Sequence, residues 1–293
     1  MRRFVSIAKA TALEILSEPL SLLLLSSALA LSVFAPAFHY HQFGEPSRMA
    51  RDAGISAMFL LGTVFAVCGT IRSFRRELES GTAASALAHP VSRGQFFLAK
   101  CCGAFVASLL FAVTVGAVTG LMVNGAEIGG ALAEQTDGMA RIWGPAYASG
   151  VAVIVVPYAF GAVMNRFFRF RFSLSAFLCA GVLALAALFA CRFDARGFLR
   201  LLPAFALLEA PVAAFVVTAA AASVRLKVNA ASAVVAAVAA AFLPFAGGYC
   251  LSEALAGGGT IPFAYVGAAV AALVPAVAAF GLVGISLMRG RDL

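Results

Sequence analysis

Residues 101–123 read CCGAFVASLLFAVTVGAVTGLMV. Cys101–Val123 contains no charged side chain, and it is long enough to cross a bilayer, which takes about 20 mostly apolar residues. Seven further runs share this character: Leu20–Phe38, Ala53–Ile71, Gly144–Val163, Ser173–Cys191, Leu202–Ala222, Ala230–Cys250 and Ile261–Met288. The last is long enough to tilt. Over the whole chain 62% of residues are hydrophobic and only 12% charged, with a mean hydropathy of +0.98. In a soluble domain about a quarter of the residues would be charged, so the solvent for most of this surface must be lipid. The expectation is an all-α, multi-pass integral membrane protein with about eight transmembrane helices, forming a single transmembrane domain over residues 1–293.

Charge sets the orientation. The net charge is +8 and the isoelectric point about 9.6, but the basic residues sit in short clusters between apolar runs. That distribution is the positive-inside pattern of membrane helices and not a nucleic-acid surface. With eight spans, one side collects five basic groups: Arg2, Arg3 and Lys9; Arg72, Arg75, Arg76, Arg93 and Lys100; Arg166, Arg169 and Arg171; Arg225 and Lys227; Arg289 and Arg291. That side is expected to be cytoplasmic, with both termini on it, in a bacterial inner membrane. The opposite loops are acidic or mixed (Glu45, Arg48, Arg51 and Asp52; Glu127, Glu134, Asp137 and Arg141; Glu253), and only the loop with Arg192, Arg196 and Arg200 departs from the rule. The basic start Met1–Lys9 is followed by Glu14 and Glu18, so no cleavable signal is expected. Residues 1–18 read either as an amphipathic helix lying in the interface or as an ordinary lead into the first span. Glu18-Pro19 breaks that run.

The most informative polar stretch precedes Cys101. Arg72–Lys100 reads RSFRRELESGTAASALAHPVSRGQFFLAK, too polar for the bilayer and too short for a domain. Arg72–Glu79 extends span two as a charged helix. Ser80-Gly81 stops it, because glycine supplies the left-handed cap. Thr82 can cap a short helix over Ala83–Ala88, and Pro90 ends it by disfavouring helical geometry at His89. Ser92-Arg93-Gly94-Gln95 is a capping box that opens span three. The sum is a small stiff knob between two spans.

This stretch resembles the permease subunits of type-2 ATP-binding-cassette transporters. The matching residues are Arg76-Glu77, Glu79, Gly81-Thr82, Leu87, Pro90-Val91-Ser92-Arg93 and Lys100, with weaker support from Glu14, Pro19, Phe43-Gly44-Glu45 and Arg51-Asp52. Ala99 and His89 depart from the family's usual residues, and eight spans are two more than the family commonly has. The resemblance implies that residues 72–100 hold a cytosolic coupling helix, docking on a separate ATPase subunit through Arg75, Arg76, Glu77, Glu79, Gly81, Thr82, Leu87, Pro90 and Arg93. It also implies a second permease copy or paralogue as partner, beside membrane lipid.

Other chemistry is not indicated. The chain has no G-x-x-x-x-G-K-[ST] phosphate loop, so ATP would be bound and hydrolysed by the partner, with no cofactor in this chain. No H-E-x-x-H or G-x-S-x-G motif occurs, so no catalytic residues are assigned and the chain is not expected to be an enzyme. The six cysteines form no C-x-x-C pair, and His39 and His41 have no Cys or carboxylate beside them to complete a metal site. One residue stands out inside a span. Glu209 lies between Pro203 and Pro211, and an ionisable side chain within a bilayer is costly. It reads as a polar contact in a translocation path or a proton-linked group, or else as a carboxylate paired with an arginine on a neighbouring helix or lying at the interface, with the prolines loosening the backbone around it. The function that follows is the permease subunit of an ATP-driven transporter, of exporter type. The alternatives are a secondary transporter and a membrane anchor or assembly subunit that binds an ATPase without transporting.

Overall fold

The computed structural model describes residues 2–37, 46–80, 92–136, 143–191, 195–226 and 263–289. Among these residues there is no strand. The helices are α1 (Arg2–Leu16), α2 (Pro19–Phe34, continued by a 3-10 turn Ala35–Ala37), α3 (Pro46–Glu79), α4 (Arg93–Thr136), α5 (Gly144–Phe168), α6 (Phe172–Ala190), α7 (Ala195–Arg225) and α8 (Phe263–Arg289). Six of these are long and apolar enough to cross a membrane, and α1 with α2 adds a seventh candidate, bent by 67° at the break. That bend sits where Glu18-Pro19 was expected to interrupt the chain, with proline at the start of α2. The expected spans fall on α2 to α8 in order, except Ala230–Cys250, which lies outside the described residues.

The long middle helix organises the bundle. α4 packs against every other described helix, most extensively against α3. The helix runs well beyond the apolar run Cys101–Val123, over 44 residues. α4 and α7 are mostly enclosed, whereas α5 and α8 turn most of their surface outward. On those outer helices the exposed side chains are Val155, Val156, Phe160, Val270, Val274 and Leu282, as expected where lipid is the solvent. The core between the helices is built from Phe65, Phe111 and Phe177, whose rings stack across α3, α4 and α6.

Close contacts fix the crossings. A Cβ on Gly103 would collide with the Ala8 carbonyl oxygen and lie 2.8 Å from Thr11 Cβ, and one on Gly69 would lie 2.7 Å from an Ile15 methyl. α1 therefore seats its buried face (Thr11, Ala12, Ile15, Leu16) on two glycines, one each in α3 and α4. α1 is thus packed on the bundle beside the 67° bend.

The helix ends sort into two sets. At one end lie the C-termini of α3, α7 and α8, the N-terminus of α4, the α1–α2 break and the α5–α6 junction. They are tied by Arg75 to Leu226, Arg93 to Met288 and Arg171 to Ser17. At the other end the Trp143 backbone N–H donates to the Gly125 carbonyl (2.8 Å), and the Asn124 side-chain amide donates to the Cys191 carbonyl (2.8 Å). α7 and α8 run side by side in the same direction: Ala204 packs with Val266 near their starts, and Gly281 faces Val217 further along.

Candidate functional site

The basic end of the bundle holds a buried cation. Lys100, one and a half to two turns into α4, is fully enclosed. Its ammonium donates to the Ser73 carbonyl (2.9 Å) and the Ser73 hydroxyl (3.0 Å), and pairs with the Glu77 carboxylate at 3.0 Å. A lysine ammonium has three protons to donate, and three acceptors meet it. The Phe74 ring lies 5.0 Å from it and Phe96 5.8 Å, both within reach of a cation–π attraction. The Ser73 hydroxyl passes the contact on, donating to Glu14 on α1 at 2.8 Å. Glu14–Ser73–Lys100–Glu77 thus joins the elbow, the end of α3 and the start of α4.

The surrounding charges are engaged as well. Arg76 faces Glu14 at 3.9 Å and Arg72 faces Glu18 at 3.5 Å. Burial pushes the Glu18 carboxyl above its usual value, while the Arg72 guanidinium pulls it back. Arg75 pairs with Glu79 one turn along and donates to the Leu226 carbonyl at 2.8 Å. Arg93 donates to the Met288 carbonyl at 3.2 Å. Helix C-termini leave carbonyls without intrahelical partners and carry partial negative charge, so these two arginines close off the ends of α7 and α8.

The expected helix grammar is visible at both edges of the segment. α3 stops at Glu79 with Ser80 outside it. The capping box forms: the Gln95 N–H donates to the Ser92 hydroxyl (3.2 Å) and the Ser92 N–H to the Gln95 side chain (3.4 Å). Gly81, Thr82, Leu87 and Pro90, with the short helix expected over Ala83–Ala88, lie outside the described residues. Arg75, Arg76, Glu77, Glu79 and Arg93 stand around that segment's two roots.

Glu209 sits elsewhere, on α7 in the enclosed middle of the bundle. It is 7% exposed and accepts a hydrogen bond from Ser108 of α4 at 3.0 Å. Its observed partner is a hydroxyl, and no arginine pairs with it among the described residues. α7 runs unbroken through Pro203 and Pro211, so the loosening expected from the prolines does not interrupt the helix.

The profile of the ABC-2 family transporter proteins matches residues 13–262. The chain belongs to the ABC-2 transporter family. It is a multi-pass membrane permease of that type. Comparison with curated proteins and with solved structures finds no match. ABC-2 permeases are non-catalytic membrane subunits that typically work with an ATPase partner. Among the described residues no group of His, Cys, Asp and Glu could hold a metal ion.

For this ABC-2 permease, the sequence shows Lys100 as the end of a motif and Glu14 as an acidic residue after the basic start. Their contact was not read. The available signal was an acidic residue on an amphipathic start together with a lysine at the head of an apolar run, both of which need a partner once buried. The sequence places Arg75 and Arg93 in the basic loop and in the docking set, not at the ends of other helices. Their grip on α7 and α8 spans more than 150 residues of sequence and leaves no local pattern.

Proposed function

We propose that this chain is the transmembrane subunit of an ATP-driven exporter, joined to a separate ATPase subunit through the segment between α3 and α4. The observation that carries this reading is the anchoring of the segment's roots. α3 and α4 are held together by Lys100, tied to α1 through Ser73 and Glu14, and fastened to the ends of α7 and α8 by Arg75 and Arg93. A force applied at residues 80 and 92 would reach five helices. ATP would be bound by the partner, and a second permease copy or paralogue would complete the path. Glu209 with Ser108 would contribute a polar contact to that path. In this reading the basic end, with both termini, faces the cytoplasm of a bacterial cell.

Eight crossings are part of the proposal. α7 and α8 are parallel neighbours, and both finish at the basic end. A chain that leaves one end and resumes at the other makes an odd number of crossings in between. Ala230–Cys250 is the apolar run available for it.

The test is co-purification with the ATPase. Glu79→Lys, Leu87→Asp and Gly81→Val should each weaken it, since a few contacts dominate an interface and can each be worth about 2 kcal/mol. Thermal stability should stay near wild type, because surface changes away from special features cost less than about 0.5 kcal/mol. Unchanged ATPase binding by all three variants would remove this segment from the coupling role.

A further inference from the structure

The α5–α6 junction is built unlike the charged end of α3. Residues 166–172 read RFFRFRF. α5 ends at Phe168, Arg169 takes a left-handed conformation (φ 56°), and α6 begins at Phe172. This tight reversal turns the aromatic side chains outward. Phe167, Phe168 and Phe170 are 76%, 63% and 60% exposed, and the rings of Phe168 and Phe170 stack at 6.5 Å. Arg166, Arg169 and Arg171 are exposed among them.

These arginines differ from those on α3. Arg48, Arg51, Arg72, Arg75 and Arg76 each face a carboxylate. Neither α5 nor α6 contains an Asp or Glu, and Arg166, Arg169 and Arg171 make no ion pair among the described residues. Arg171 donates instead to a neutral group, the Ser17 hydroxyl, at 2.8 Å. That bond brings the α1–α2 break alongside. On α1, Arg2, Arg3 and Lys9 are likewise exposed and unpaired among the described residues.

We propose that the Arg166–Arg171 turn is a binding surface for anionic phospholipid headgroups of the adjacent leaflet. The chemistry fits at both levels. Guanidinium forks match phosphate oxygens in a bidentate manner, and phenylalanine rings next to them gain by entering the apolar edge of the interface. Arginines also keep their heads at the headgroup level while their stems lie along apolar surface. A polybasic surface of this kind gains roughly fivefold in lipid preference for each arginine near the leaflet. The inference rests on the chain's spanning a membrane and is independent of its coupling to an ATPase.

The experiment uses the purified full chain, with retained lipid counted by native mass spectrometry after exposure to mixed phosphatidylglycerol and phosphatidylcholine. Wild type should retain phosphatidylglycerol preferentially. The triple variant Arg166→Gln, Arg169→Gln, Arg171→Gln should lose about tenfold or more of that preference, while Arg48→Gln, at the opposite end, should keep it. Equal retention of the two lipids by wild type would overturn the proposal, as would a wild-type preference in the triple variant. A triple variant that kept its lipid preference but lost the ATPase would assign the surface to a protein partner instead. A second measurement does not depend on that variant folding. Phe168→Trp adds an emitter at the turn, and brominated phosphatidylglycerol should quench its added emission more than brominated phosphatidylcholine at equal mole fraction, after subtraction of the Trp143 signal. Equal quenching would overturn the proposal.

Discussion

Lys100 shows how one side chain can tie three helices together. Lysine is almost never fully buried unless paired, and here the pairing is complete. Removing one partner of a buried ion pair costs about 3 kcal/mol or more. Glu77 retains some exposure (29%), so the loss for Lys100→Met should be near the lower end. We expect a clear fall in unfolding temperature in detergent. The double variant Lys100→Met, Glu77→Gln should fall by less than the sum of the single changes, because residues in one network couple by about 0.5–3 kcal/mol. Additive losses would show that the pair does not act as a unit. Glu209 leads to the opposite expectation. Its described partner is a neutral hydroxyl, and burying a carboxylate without a cation is costly. Glu209→Gln keeps an acceptor for Ser108 and removes the charge, so its unfolding temperature should match or exceed wild type while transport falls. A lower unfolding temperature would point to a structural role for the charge.

Among the elements, α1 is one whose placement depends on missing side chains. Gly103 and Gly69 lie where α1 crosses α4 and α3. Gly103→Val should push α1 off α4 and stretch the Glu14–Ser73 contact, lowering thermal stability by about 1–3 kcal/mol, the usual scale for overpacking. Gly130 on the same helix has nothing within 4 Å of a built Cβ. Gly130→Ala should therefore be neutral or stabilising by about 0.5–1 kcal/mol, since glycine is a poor helix residue. Equal effects at the two positions would argue against a close crossing at Gly103. The sequence did mark α1's ends, through Glu18-Pro19 and the amphipathic pattern. The glycines in α4 carried no such mark, because a small residue in an apolar run reads the same whether it faces lipid or a backbone.

For the whole molecule, the parallel placement of α7 and α8 is the feature with the widest consequence. Single cysteines introduced at Ser85 should be labelled from the cytoplasmic side, and those at Gly129 and Gly257 from the outside. Labelling of Ser85→Cys from outside would refute the orientation. Labelling of Gly257→Cys from the cytoplasm would refute the crossing between α7 and α8. Local charge counting could order the loops but could not show which helices are neighbours.

Composition and local pattern suffice to place the chain in a membrane, to locate seven of the helices, to bend the entry at Glu18-Pro19 and to start α4 at Ser92–Gln95. Each of these depends on residues within a turn or two of one another, or on the cost of placing apolar length in water. The packed bundle was needed to show that α4 is the central helix, that Lys100 and Glu14 belong to one network, that Arg75 and Arg93 hold the ends of α7 and α8, and that Glu209 meets Ser108. Those contacts join residues 27 to 195 positions apart, or several helices at once. In lipid every face of a helix may be apolar, so hydropathy no longer tells the buried side from the outer one. Close packing at glycines and buried polar contacts make that choice.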